Sequence, residues 1–135
     1  MNLVSIRLIT DDVDRLVTFY ERMTGVTAVR PTPDFAELRT KNGTLAIGST
    51  RTVALFGPGS AEPAANRSAI VEFIVDDVNA LFDSLPAETI EVVQRPTTMP
   101  WGNRSLLVRD PDGTLVNFFT PESPDAVARF AGTPR

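Results

Sequence analysis

An eight-residue segment occurs twice in this chain and limits the folds that it can adopt. Ile9–Leu16 recurs as Ile74–Leu81, 65 residues later, with five of the eight positions identical. The interval is about half of the 135 residues, which indicates a duplicated module rather than a long solenoid. Two sheet-forming modules create a cleft where they meet, so we expect a ligand site there.

The first half is predicted to contain a strand, a helix and then further strands. Leu3–Ile9 alternates as a strand, after which Asp12 is placed to cap a helix that Gly25 ends. Asn42-Gly43 is typical of a two-residue hairpin turn. The other strands of this half are predicted at Val26–Arg30, Phe35–Thr40, Thr44–Ser49 and Arg51–Phe56.

The second half repeats this order. Ser68–Val75 is predicted as a strand, and Asp77 as the cap of a helix that Pro86 stops. Later elements are predicted as strands at Ile90–Gln94, Arg104–Arg109 and Thr114–Thr120 and as a short helix at Pro124–Phe130. We therefore expect one domain over residues 1–121, with module 1 at about 1–57, a linker at 58–67, module 2 at about 68–121 and a C-terminal tail at 122–135.

Strand side chains alternate, so each half-sheet has two faces. The apolar residues Val4, Ile6 and Leu8 are predicted to pack beneath the first helix. A second echo, between Val53–Pro58 and Val116–Pro121, predicts which residues of the closing strands correspond. The residues expected on the helix-free faces, and so in the cleft, are Ser5, Arg7, Ile9, Ala54, Phe56, Ile70, Glu72, Ile74, Asn117 and Phe119.

Composition argues against several classes of function. The net charge is −4 with scattered charges, whereas nucleic-acid binding favours a basic stripe. Cysteine and histidine are both absent, so there is no thiol chemistry, and the commonest metal ligand and general base are missing. No apolar run reaches membrane-spanning length and no signal-peptide pattern begins the sequence, so we expect a cytoplasmic protein with no membrane partner.

Three motifs in order resemble the vicinal oxygen chelate superfamily, which includes glyoxalases, bleomycin resistance proteins and extradiol dioxygenases. They are the first strand, cap and helix with Phe19-Tyr20, then Phe73–Val78, then Arg109–Gly113. The resemblance covers residue 3 to about 121. It implies an α+β fold of two βαβββ modules forming a curved, incomplete barrel around a cleft. It also implies a homodimer and, in the metal-bearing members, one ion on four His or Glu ligands.

The chain departs from that ligand set. The four corresponding positions are Ser5, Ala54, Ile70 and Asn117, and none is a strong ligand for a transition metal. We therefore predict no metal and no cofactor. What remains resembles the bleomycin-resistance-like branch, whose members hold small molecules without a metal. The run Met99–Ser105 is also similar to that branch.

Arg7 and Glu72 are the charged pair that the duplication relates. They could orient a polar ligand, with Glu72 as a general base if burial raised its pKa. They could instead form a structural ion pair between the modules, in which case loss of either partner would destabilise the fold. No catalytic residue is assigned beyond these two candidates.

Other candidates also have two interpretations. Trp101 could be a stacking wall for a planar ligand, or a plug or dimer contact. Arg104, beside Asn103, could bind a carboxylate or be solvated. Asn117 could hydrogen-bond a ligand carbonyl or be a satisfied core residue. Phe56 and Phe119 are expected to line the cavity.

The sequence thus predicts a protein that binds a small, largely apolar or aromatic molecule without a metal, for example to sequester a drug or metabolite. The alternative is a metal-independent isomerase or lyase of the same fold that uses Glu72 and Arg7. A metal-dependent lyase or dioxygenase is a third possibility, but it would need ligands that the chain does not supply. The expected partners are a small-molecule ligand and a second copy of the chain.

Overall fold

The computed structural model describes residues 1–86 and 88–135. The chain divides into two compact units. Unit 1 comprises residues 1–66 and 111–113, and unit 2 comprises residues 67–110 and 114–135. Each unit contains one four-stranded mixed sheet with helices. In the described part of the chain, no helix is both long and apolar enough to cross a membrane.

Unit 1 contains four strands and two helices. The elements are β1 (Ser5–Thr10), α1 (Val13–Thr24), β2 (Val29–Thr32), β3 (Phe35–Arg39), β4 (Thr44–Ser49) and α2 (Thr50–Phe56). The sheet order is β1-β4-β3-β2. β1 runs parallel to β4, and the other pairs are antiparallel.

Helix α1 begins and ends where the sequence predicts. The Asp12 carboxylate accepts the backbone N–H of Arg15 at 3.0 Å, and Gly25 ends the helix with φ of 71°. The helix packs on β3 and β4, where Leu38 and Ile47 are fully buried. The prediction that Val4 and Ile6 lie beneath this helix is wrong: α1 packs on the middle of the sheet, and both side chains are exposed.

The hairpin between β3 and β4 also forms as predicted, with its turn one residue earlier. The N–H of Thr40 donates to the carbonyl of Gly43 at 2.9 Å, so the central residues of the turn are Lys41 and Asn42. Gly43 is the first residue of the returning chain rather than a turn centre. Its φ is not positive, so the turn does not depend on glycine there.

The predicted strand Arg51–Phe56 is instead helix α2. The hydroxyl of Ser49 accepts the N–H of Arg51 at 3.2 Å and so caps the helix. Ser49 in turn donates to the Asp34 carboxylate at 2.9 Å. The closing strand of unit 1 is therefore β4, and the resemblance of Val53–Pro58 to Val116–Pro121 does not reflect equivalent strands.

Unit 2 repeats the arrangement. Its elements are β5 (Ile70–Ile74), α3 (Val78–Ser84), β6 (Glu91–Thr98), β7 (Asn103–Arg109), β8 (Leu115–Pro121) and α4 (Pro124–Arg129). The order is β5-β8-β7-β6, with β5 parallel to β8. β6 is longer than predicted and includes Pro96, which an edge strand with an irregular register tolerates.

The cap of the helix in unit 2 forms as predicted. Asp77 accepts the N–H groups of Asn79 and Ala80 at the start of α3. The fully buried side chains of this unit are Val78, Leu106, Val108, Val116 and Phe118. Because α4 follows β8 as α2 follows β4, each unit has the order β-α-β-β-β-α. The C-terminal tail is thus part of unit 2.

Candidate functional site

Strand register defines one face of the unit 1 sheet, which we call the Arg7 face. Arg7 is opposite Ala46, which is opposite Glu37, and Ile9 is opposite Gly48, which is opposite Phe35. Ser5 lies two residues from Arg7 on the same side. The Arg7 face therefore includes Ser5, Arg7, Ile9, Phe35, Glu37, Arg39, Thr44, Ala46 and Gly48.

The Arg7 face is not helix-free, contrary to the prediction, because α2 packs against it. A Cβ at Gly48 would lie 2.8 Å from Thr52 Oγ1 on α2 and 3.5 Å from Arg7 Cδ. The absent side chain of Gly48 thus makes room for both the helix and the arginine stem. Ala54 is exposed on this helix rather than on a closing strand, so its predicted place in the sheet is wrong. Phe56 does reach Arg7, but from the end of the helix.

The Arg7 guanidinium lies over two aromatic rings. Its Cζ is 4.9 Å from the centroid of Phe35 and 5.1 Å from that of Phe56. Both distances are typical of cation–π contacts. Phe56 is 76% exposed, and Arg7 is also exposed. Among the residues described in unit 1, no oxygen accepts a hydrogen bond from Arg7.

The carboxylates nearest to this face in sequence and register, those of Glu37 and Asp34, already accept hydrogen bonds from other side chains. Glu37 accepts from Arg39 through both oxygens, at 3.2 and 3.3 Å, and this raises the pKa of Arg39. Asp34 accepts from Arg51 Nε at 2.7 Å and from Ser49 at 2.9 Å. These hydrogen bonds, Arg51 first, hold the pKa of Asp34 below its ordinary value. Arg7 is thus left without an internal acceptor on its own face.

The corresponding face of unit 2, which we call the Glu72 face, is polar at its centre. By register it includes Ile70, Glu72, Ile74, Asn103, Ser105, Leu107, Arg109, Leu115, Asn117, Phe119 and Pro121. Asn117 Nδ2 donates to Glu72 Oε2 at 2.8 Å. Three buried oxygens on this face have no hydrogen-bond partner: Asn117 Oδ1, Ser105 Oγ and Asn103 Oδ1.

Apolar residues flank this polar centre. Phe119 is buried, and its ring centroid is 5.1 Å from that of Phe130, which ends α4. Ile70 is exposed on the edge strand. The prediction that Phe119 lies on the same face as Asn117 agrees with the register, whereas its ring is covered by the C-terminal helix rather than open to solvent.

Arg104 is not on the Glu72 face. It lies on the side where α3 packs, because its neighbours in register, Thr98 and Thr120, alternate away from Ser105. Its Nε donates to Asn79 Oδ1 at 2.8 Å, and its Nη1 donates to Thr98 at 3.2 Å. Both of these hydrogen bonds are internal, and a carboxylate-binding role for Arg104 stays a prediction. Trp101 is 64% exposed in the turn between β6 and β7, outside both strand faces.

Arg7 belongs to unit 1 and Glu72 to unit 2. Their pairing, whether structural or functional, stays a prediction. Two residues of the Arg7 face, Phe35 and Gly48, belong to no motif that would predict their place there. Phe35 reads as an ordinary strand residue, and Gly48 is visible only as a glycine in a strand, which can indicate a close approach of other groups.

The positions that the resemblance assigns to metal ligands do not fit a metal ion. In unit 1 the residue equivalent to Asn117 is Ala46 rather than the predicted Ala54, because Arg7 is paired with Ala46 as Glu72 is paired with Asn117. Alanine and isoleucine have no donor atom, and serine and asparagine offer only neutral oxygen. Residues 1–86 and 88–135 contain no group of three or more His, Cys, Asp or Glu side chains placed to hold a metal.

Comparisons with known proteins give a consistent family. The sequence profile of the Glyoxalase/Bleomycin resistance protein/Dioxygenase superfamily matches residues 2–118. A glyoxalase/bleomycin resistance protein/dioxygenase from Nocardioides is 22% identical, with a TM-score of 0.73 over 92% of this chain and 85% of that one. A family enzyme from Burkholderia phytofirmans PsJN is 17% identical, with a TM-score of 0.78 over 90% and 99%.

TioX from Micromonospora sp. ML1 is 27% identical, with a TM-score of 0.67 over 90% of this chain and 99% of that one. No curated protein matches the chain. The profile therefore points to one superfamily, and the solved structures show the same fold as this chain.

Proposed function

The chain belongs to the Glyoxalase/Bleomycin resistance protein/Dioxygenase superfamily, and within it we propose a protein that binds a small organic molecule without a metal. The observation that carries this proposal is the Arg7 guanidinium, which lies over Phe35 and Phe56 and has no acceptor in its unit. An exposed cation with exposed aromatic surface beside it is a binding surface for an organic ligand.

The use that we propose is sequestration of a drug or metabolite rather than its conversion. The superfamily's description includes bleomycin resistance proteins, which supports a binding role as one of its functions. The four positions that correspond to metal ligands in metal-bearing members support metal independence, since Ala46 and Ile70 offer no donor atom.

A ligand screen tests this function. Purified protein is heated with a library of aromatic metabolites and antibiotics, and a specific ligand raises the melting temperature with its concentration. We expect the hits to lose their effect in Arg7→Met and to keep it in Arg30→Met, which removes the same charge from an ion pair with Asp14. No hit in a broad library would contradict the proposal.

Metal independence has its own test. Elemental analysis of the purified protein should find no stoichiometric Ni, Zn, Mn or Fe, and chelator treatment should leave ligand binding unchanged. One tightly held ion per chain, with binding lost on its removal, would contradict a metal-free site.

A metal-independent enzyme is the second candidate, and the geometry of Glu72 favours it. The Asn117 amide fixes one carboxylate oxygen of Glu72, while the exposed side chain leaves the other available as a base. Compounds that bind are incubated with the protein and followed by mass spectrometry and chiral chromatography. Conversion lost in Glu72→Gln but kept in Glu91→Gln would favour the enzyme over the binding protein.

We also propose a homodimer formed through β1. This edge strand and the residues that lead into it expose Leu3, Val4 and Ile6. An exposed apolar edge favours pairing with another chain. The edge strand β6 is less suited, because it places the charged Glu91 and Arg95 around its exposed Val93.

A further inference from the structure

We infer that the Arg7 face is a receptor for the carboxylate of an aromatic organic acid. This inference rests on the proposed function, which requires only that some small molecule binds, and it adds the chemical class of that molecule.

The guanidinium is held in place without using its hydrogen bonds. Contacts with Phe35 and Phe56 restrict its position through the faces of two rings, and its stem passes beside Gly48. Cation–π contacts do not consume N–H donors, so the edge of the guanidinium stays free to donate. A fixed arginine fork matches the two oxygens of a carboxylate and loses little side-chain entropy when it binds.

The charges nearby favour a monoanion. Arg39 and Arg51 are each paired with a carboxylate in the same unit, so Arg7 is the cation of this face without an internal counter-ion. A phosphate dianion is better matched by several cations or by a row of backbone N–H groups. One free guanidinium is suited to one carboxylate.

The surface beside Arg7 favours an aromatic body on the acid. Phe56 is largely exposed, and Leu55 next to it on α2 is also exposed. An apolar ring that covers the exposed ring of Phe56 would remove it from water and stack on it. A small aliphatic acid would make the carboxylate contact alone and should bind more weakly.

The experiment uses four probes with the full chain, followed by calorimetry and by the NMR signal of the Arg7 side chain. The probes are 2-naphthoate, its uncharged carboxamide, acetate and 2-naphthyl phosphate. We expect 2-naphthoate to bind with 1:1 stoichiometry and to shift the Arg7 Nε–H resonance. We expect the carboxamide and acetate each to bind at least about tenfold more weakly, which corresponds to the loss of roughly 1.4 kcal/mol.

Variants distinguish the effect of the two-pronged guanidinium geometry of Arg7 from the effect of its charge. Arg7→Lys keeps the charge but not the fork or the stacking, and it should weaken 2-naphthoate about tenfold or more. Phe56→Ala should weaken 2-naphthoate but not acetate. Arg30→Met, which removes the same charge elsewhere in unit 1, should leave 2-naphthoate binding unchanged.

Three results would overturn the inference. They are equal affinity for the acid and the carboxamide, tighter binding of the phosphate than of the carboxylate, or no binding of 2-naphthoate at millimolar concentration. If library hits bound the Arg7→Lys variant as well as the wild type, the proposed ligand class would be wrong, but the proposal that the protein binds a small molecule would stand. If no compound of any class bound, the proposed function itself would fail.

Discussion

The Asp34 carboxylate accepts a hydrogen bond from the Ser49 hydroxyl at 2.9 Å, so the turn between β2 and β3 holds the cap of helix α2. Arg51 in the first turn of α2 donates to the same carboxylate oxygen. The position of α2, and with it Phe56 on the Arg7 face, therefore depends on one acidic residue far from it in sequence.

This relationship predicts that the stability of the folded protein depends on pH. The pKa of Asp34 is lowered in the folded protein, chiefly by Arg51 and then by Ser49. Its contribution to stability is therefore present above the ordinary value of 3.8 and is lost as the pH falls through the lowered pKa. Asp34→Asn should destabilise the protein at pH 7 and destabilise it less at about pH 2, because the wild-type carboxyl gains protons as the pH falls toward its lowered pKa. Urea titrations of both proteins at each pH measure this, and an equal difference at both would contradict it.

Repeat and capping signals predicted most of the fold. Asp12 and Asp77 cap their helices as expected, because this kind of cap is a local interaction between a side chain and the next few N–H groups. The helix α2 was missed because its apolar residues Val53–Phe56 fit a strand pattern as well as a helix. The helix is favoured by the hydrogen bond between Ser49 and Asp34. These residues are fifteen positions apart, and sequence spacing does not reveal the contact.

The sequence predicts less of the site than of the fold, and Ala54 illustrates why. The prediction places Ala54 on a closing strand, whereas it lies on helix α2, and the strand that pairs with β1 is β4. Arg7 shares a face with Ser5 and Ile9, as alternation alone predicts, because β1 is regular. Its aromatic neighbours Phe35 and Phe56 come from two other elements and became visible only in three dimensions.

Gly48→Ala should displace α2. The new Cβ would lie 2.8 Å from Thr52 Oγ1, which is itself fixed by a hydrogen bond to the Ser49 carbonyl. We expect a loss of about 1–3 kcal/mol of stability from overpacking and faster hydrogen exchange in residues 50–56. Gly43→Ala is the matched control, because Gly43 has no neighbour within 4 Å and no positive φ. Similar exchange in both variants would contradict the tight approach at Gly48.

Gly102→Ala should be among the most destabilising single changes in unit 2. Gly102 has φ of 91°, and a Cβ there would overlap the Ser123 side chain at the start of α4. Backbone strain and overpacking each cost about 1–3 kcal/mol, so we expect about 2–6 kcal/mol in total. Gly132→Ala has a similar φ of 88° but no neighbour within 4 Å, and it should show the strain alone. Equal midpoints for the two variants in urea would argue against the packing of α4 on this turn.

Two serine-to-alanine changes should have opposite signs. The Ser105 hydroxyl is buried without a partner on the Glu72 face, and burying an unsatisfied polar group costs about 1–3 kcal/mol. Ser105→Ala should therefore raise stability by about 1 kcal/mol. Ser123→Ala should lower it by about 1 kcal/mol, because Ser123 caps α4 by accepting the Ala126 N–H at 3.1 Å. A destabilised Ser105→Ala protein would mean that the hydroxyl has a partner, such as an ordered water molecule.

Ile6→Lys should dissociate the proposed dimer. Ile6 is 49% exposed on the edge strand β1, and a lysine there would place a charge in an interface that excludes water. The matched control is Val93→Lys, because Val93 is 48% exposed on the edge strand β6. Light scattering coupled to size-exclusion chromatography should give twice the 14.7 kDa chain mass for the wild type and for Val93→Lys, and the chain mass for Ile6→Lys. A dimer that survives Ile6→Lys but dissociates in Val93→Lys would move the interface to β6, and a monomeric wild type would rule out the dimer.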